Sequence, residues 1–117
     1  MSKPGFFFCQ TWMMNYWYFR GWPSNKFIKY CEKEFKFTPE ISEKTSGKMI
    51  EHTDNKGTRI LIWTKEKKDL PTLVHECIHA AHFTLAAKGF KPDFYNDEPV
   101  TYLVQSIFRY ALKKTER

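Results

Sequence analysis

At 117 residues the chain is long enough for one hydrophobic core and too short for two, and its 42% hydrophobic and 27% charged content is that of an ordinary soluble domain. Its three cysteines, Cys9, Cys31 and Cys77, are widely spaced and form no CxxC pair. That argues against a disulfide framework or a cysteine zinc site and points to reduced thiols in a cytoplasmic compartment. The net charge of +6 has only short dense groups, KEKK at 65–68 and KK at 113–114, so it reads as a solvated basic surface rather than a nucleic-acid stripe.

The chain opens on a crowd of aromatics: Phe6, Phe7, Phe8, Trp12, Tyr16, Trp17, Tyr18, Phe19 and Trp22. The apolar run from Phe6 to Phe19 is 14 residues, interrupted by Gln10, Thr11 and Asn15. A membrane-spanning helix needs about 20. No aliphatic leader with a small-residue cleavage site is visible, so the segment is expected to be core-forming strand or extended chain, with no membrane partner. Gly21-Trp22-Pro23-Ser24 then punctuates the chain. Ser24 is expected to cap a helix running to about Phe35, with Phe27, Ile28, Cys31 and Phe35 as its buried stripe.

After the turn-rich passage FTPEISEKTSGK, residues 49–53 and 58–64 read as two strands. Asp54-Asn55-Lys56-Gly57 between them supplies residues that tolerate positive φ, so a hairpin is expected. A helix follows from about Leu70 to Lys88, capped by Asp69, with Pro71 in its first turn and Gly89 just past its end. The last helix begins near Asn96-Asp97-Glu98-Pro99, and Val100, Leu103, Val104, Ile107, Phe108 and Ala111 give it an apolar stripe. The order predicts a single α+β domain over residues 1–117.

Positions 75–79 spell His-Glu-Cys-Ile-His, an HExxH pattern. On a helix, residues four apart share a face, so His75 and His79 can direct nitrogens at one ion. Glu76 lies about a quarter-turn round, which suits a carboxylate that contacts a metal-bound water without coordinating the metal. His82 is on nearly the same stripe, yet seven residues of helix separate it from His75 by about 10 Å, too far for one ion. It is expected to line the pocket or stand as a polar neighbour. The third ligand must come from elsewhere. His52 is one option. Glu98, at the start of the next helix beyond a turn through Gly89 and Pro92, is the better one, and it would complete a His₂Glu zinc arrangement.

The HECIH helix followed by Asn96-Asp97-Glu98-Pro99 resembles the gluzincin branch of the zincin metallopeptidases, whose third ligand is a glutamate on the following helix. LVHECIHAAH with DEPVTYLV is also similar to small phage-encoded metallopeptidase-like proteins, in which a HE-x-x-HAA helix precedes a D/E-E-x-x-AYL helix. The resemblance covers about residues 70–112, and the front half agrees only in its strand–helix–hairpin order. It implies a zincin-like fold, Zn²⁺ held by His75, His79 and Glu98, Glu76 as general base, and a peptide or protein substrate. It also implies a cytoplasmic enzyme, in the host cytoplasm if the chain is virus-encoded, with TRILIWT as the strand at the cleft's upper rim. The chain departs from the metzincins, having His82 and Leu85 where they need Gly and His. It also has Tyr102 where the fuller gluzincin motif carries an acidic residue bracing a histidine. Tyr102 could instead lend its hydroxyl to an oxyanion, or pack between helices.

Two competing readings follow from the same residues. The fold and zinc could serve a catalytically inactive binding or inhibitory module. Alternatively, the front aromatics and positive charge could engage nucleic acid by base stacking, against the simpler expectation that those rings fill the core. Nothing in the sequence fixes an oligomeric state.

Overall fold

The aromatic front segment folds into two strands rather than one. In the computed structural model, which describes residues 3–91 and 97–116, β1 (Gly5–Cys9) and β2 (Met14–Arg20) form an antiparallel hairpin. A second hairpin joins β3 (Gly47–Asp54) to β4 (Gly57–Thr64). Of the turn residues, only Gly57 uses positive φ, at 117°, while the Asp54 carboxylate accepts the Lys56 N–H at 2.8 Å. β4 pairs parallel to β2, giving one four-stranded sheet of order β1-β2-β4-β3.

A parallel pair cannot be closed by a tight turn and needs a crossover. The crossover here is α1 (Ser24–Tyr30), which continues as a π-helical segment over Cys31–Phe35 and stops at Lys36, whose φ is 62°. Ser24 is the first helical residue; Pro23 holds the cap position, and no side chain caps that end. After β4 come α2 (Leu70–Ala87) and α3 (Glu98–Lys114), so the α+β class expected from the sequence is the one observed. No described helix is long and apolar enough to cross a membrane.

Strand alternation sorts the core into two layers. Tyr16, Tyr18, Ile60 and Ile62 face α2 and α3, meeting Leu73, Cys77, Ala81 and Ile107. Phe19, Leu61 and Trp63 face the other way and pack on Phe27 and Cys31 of the crossover. Most front aromatics therefore do fill the core, and the two buried tyrosines tie the sheet to α2 and α3. The Tyr16 hydroxyl meets the Thr84 hydroxyl at 2.6 Å, and Tyr18 donates to the Ile107 carbonyl at 2.9 Å. Burial raises both phenols well above their ordinary range.

These anchors also fix helix directions. α2 starts near the end of β2 and passes Tyr16 at Thr84, whereas α3 runs from Ile107 at Tyr18 towards Thr115, which accepts from Arg20. The two helices are antiparallel. Glu98, nine residues before Ile107, lies about 13 Å of rise from it and opens α3 at the end of the layer where α2 closes.

Candidate metal centre

α2 forms where the sequence signals it. The Asp69 carboxylate accepts from the Thr72 N–H at 3.1 Å and from the Thr72 hydroxyl at 2.6 Å, and Pro71 occupies the first turn. At the other end Gly89 sits at φ 80°. Its N–H donates to Ala86 at 3.0 Å and that of Phe90 to Leu85 at 2.8 Å, the paired bonds of a Schellman terminus. Leu73, Cys77, Ala80, Ala81, Thr84 and Leu85 turn to the core. The remaining stripe, His75, His79 and His82, faces solvent.

Within that stripe the structure brings two histidines together. Nε2 of His75 and Nε2 of His79 are 3.0 Å apart, with the rings nearly perpendicular at 82°. Two neutral imidazoles meet in this way only when one donates its N–H to the other's lone pair. A shared cation uses both lone pairs. Two nitrogens bound at 2.0–2.1 Å to one tetrahedral zinc stand roughly 3.3 Å apart, about 0.3 Å more than the separation of this pair. The two imidazole nitrogens are the half of a zinc donor set that the HExxH pattern implies.

Glu76 is 8% exposed, on the flank of the pair that faces β3. Burial raises its carboxyl above the ordinary carboxylate range, opposed by the nearby His75 and His79 and by a hydrogen bond from the Met49 N–H. That bond follows from the sheet. Lys65 donates to the Ser46 carbonyl across the hairpin, so alternation turns the N–H and C=O groups of Gly47, Met49, Glu51 and Thr53 away from β4. Met49 thus presents its N–H at the sheet's edge, where the Glu76 carboxylate receives it. Gly47 makes the approach possible: a Cβ there would stand 2.5 Å from Thr72 Cγ2, 2.9 Å from the Trp63 carbonyl and 3.6 Å from Glu76 Cγ. Sequence reasoning missed Gly47 and Met49. The available signal was a glycine opening a strand that precedes the motif helix.

Three sequence expectations need correction. TRILIWT, expected as the cleft's rim, is interior, hydrogen-bonded to β2 on one side and β3 on the other; the edge strand beside α2 is β3. Its continuous burial from Ile60 to Thr64 is the reason, because a strand covered on both faces is apolar throughout. His52 cannot supply the third ligand. It shares its face with Ile50, on the α1 side of the sheet, where its ring stacks on Phe37 at 4.3 Å and its Nδ1 contacts Arg59 Nη1 at 2.7 Å. Tyr102 is 65% exposed and does not pack between helices.

Glu98 is exposed in the first turn of α3, beside the end of α2 rather than level with the histidine pair. Among the described residues, no three His, Cys, Asp or Glu side chains are gathered into one group. Pro92 and Asn96, which the sequence placed in the turn and at the helix start, lie outside the described residues. His82 is exposed one turn beyond His79, as helical rise requires. A scan of protein-family models, a search of curated proteins and a search of solved structures each found no match to this chain.

Proposed function

We propose that the chain is a small zinc-dependent peptidase of the gluzincin type. The observation that carries this reading is the facing Nε2 pair of His75 and His79, with the buried Glu76 carboxylate beside it at the edge of β3. His75 and His79 would hold zinc, and Glu98, which opens α3 beside the end of α2, would complete the set once the start of α3 is drawn towards the pair. Bound zinc supplies a Lewis acid for the scissile carbonyl and acidifies its water.

The protein's own groups account for the rest of the chemistry. Glu76, with its carboxyl raised by burial, takes the water's proton and returns it to the leaving amine. The Met49 N–H orients the carboxylate during that exchange. The outward C=O of Met49 and the N–H and C=O of Glu51 can pair with an extended peptide laid along β3, which holds the scissile bond against Glu76. The Tyr102 hydroxyl, one turn after Glu98, is assigned to the oxyanion. A cytoplasmic protein with reduced thiols fits the three free, buried cysteines.

A second reading keeps zinc but not hydrolysis. Because Glu98 is not gathered with the pair, zinc could brace a binding module instead. One experiment decides. Native protein should carry one equivalent of zinc and cleave unfolded casein, while His79→Ala should lose both. Glu76→Gln should keep the zinc and lose the cleavage. Metal-free native protein would sink both readings. Zinc-loaded native protein that never cleaves would leave the binding module.

A further inference from the structure

The two edges of the sheet are defended very differently. β3 carries Lys48, Glu51 and Asp54, charges that disfavour pairing with the apolar edge of another copy while leaving the strand open to a polar peptide. β1, at the other end of the strand order, reads GFFFC and has no charge at all. Phe6 and Phe8 are each 41% exposed and Met13, in the following turn, is 64% exposed. Phe6 and Phe8 share the face of Trp17, beyond the part of the sheet that α1 covers, and Phe6 touches Trp17 at 4.8 Å. Phe7 points to the opposite face and stacks on Tyr110 of α3 at 4.1 Å and 9°.

We propose that β1 is an interface between two copies of this chain, joined antiparallel about a two-fold axis through Phe7. With that axis, Phe6 of each copy lies opposite Phe8 of the other, so each exposed ring gains an aromatic cross-strand partner. Phe7 faces its own counterpart on the α3 side. An axis elsewhere leaves one phenylalanine without a partner.

The charge distribution favours the same arrangement. Two basic groups stand at the Gly5 end of β1: Lys3 precedes it, and Lys114 lies against Gly5, where an added Cβ would meet Lys114 Cβ at 2.8 Å. The other end, Gln10 to Met14, is uncharged. Antiparallel pairing sets each basic end against the uncharged end of the second copy. The two basic ends then stand roughly 13 Å apart, at 3.3 Å per residue, beyond a screening length of about 8 Å. A nucleic acid fits less well, because the strand offers no cation of its own to phosphates. The assembly is a continuous eight-stranded sheet that leaves both β3 edges outermost and open.

A five-residue seam is smaller than a standard interface, so sedimentation of native protein should show reversible dimers, half-formed at roughly 10–100 µM chain. Phe8→Lys changes a half-exposed position and should give monomer at every concentration, with native circular dichroism and melting temperature. Mixing Phe6→Cys with Phe8→Cys under mild oxidation should give the mixed 6–8 disulfide in excess over 6–6 and 8–8, since the three native cysteines are buried. Native protein that stays monomeric to about 500 µM would overturn the proposal. So would a Phe8→Lys protein that still dimerises, a statistical mixture of disulfides, or an association abolished by nuclease.

Discussion

The two histidine groups lie on opposite faces of one sheet and differ in how completely their chemistry is answered. His52 is a finished arrangement. Arg59 can only donate, so Nδ1 of His52 must accept and the ring's proton sits on Nε2. The Phe37 ring covers one face of it, and Arg59 is itself held by Asp54 at 3.0 Å and lies over Phe35. His75 and His79 have each other, with two lone pairs for one proton. A histidine whose acceptor nitrogen is filled and whose ring face is covered by its own chain is a structural element; a converging pair left facing solvent has only its own two nitrogens to satisfy each other. Histidine in a sequence does not separate the two, whereas neighbours do.

This contrast can be broken at several strengths. The largest effect is expected from Glu76→Gln, which should lower peptide cleavage by about 10²–10⁴-fold, the range for a lost general base, with zinc content unchanged. Next, His79→Ala should weaken zinc binding by roughly 10²–10³-fold, one ligand's share of a multi-ligand site, whereas His52→Ala should leave it unchanged. Equal losses in a competition titration with a chromophoric chelator would erase the distinction. Gly47→Ala forces a Cβ against Thr72 and the Trp63 carbonyl, and should destabilise the fold by about 1–3 kcal/mol, read by denaturant titration.

The smallest effects are in pH dependence. The Asp69 carboxyl is lowered by its hydrogen bonds from Thr72, and that of Asp54 by its hydrogen bond from Arg59. A carboxyl lowered on folding adds stability above its unfolded value near 4, and that stability is lost as pH falls below it. The melting temperature should therefore drop below about pH 4, and less so in Asp69→Asn, which keeps a capping side chain without the titration. Glu76 has the opposite sign. Its carboxyl is raised by burial, so it costs stability at neutral pH. Metal-free Glu76→Gln should melt higher than native protein at pH 7, with the gap closing on acidification.

Much of this molecule was legible in its residues, for physical reasons. The signals around α2 are local: a capping aspartate, a proline, a terminal glycine and a 3.6-residue stripe lie within one stretch of chain, and all act where they were read. The facing of His75 and His79 follows from helical geometry alone. Sheet order was not legible, because pairing partners are chosen over long separations. TRILIWT looked like a rim until β2 proved to be its parallel neighbour. Phe6 to Phe8 read as core, yet a strand at the edge of a sheet keeps part of its side chains in water. The gathering of Glu98 depends on how two helices slide past each other, which no periodicity encodes.

The division of the core into two layers also makes the protein its own instrument. Trp17, Trp22 and Trp63 all belong to the α1 side, where the Trp63 indole donates to the Trp22 carbonyl at 2.8 Å and stacks on Phe27. Only Trp12 packs on the helical side, near Phe90 just past the end of α2. Tryptophan emission therefore reports chiefly on the crossover layer and is nearly silent about the histidines. A change in emission on adding zinc would be a signal from Trp12, the one indole at the end of the helix that carries the pair.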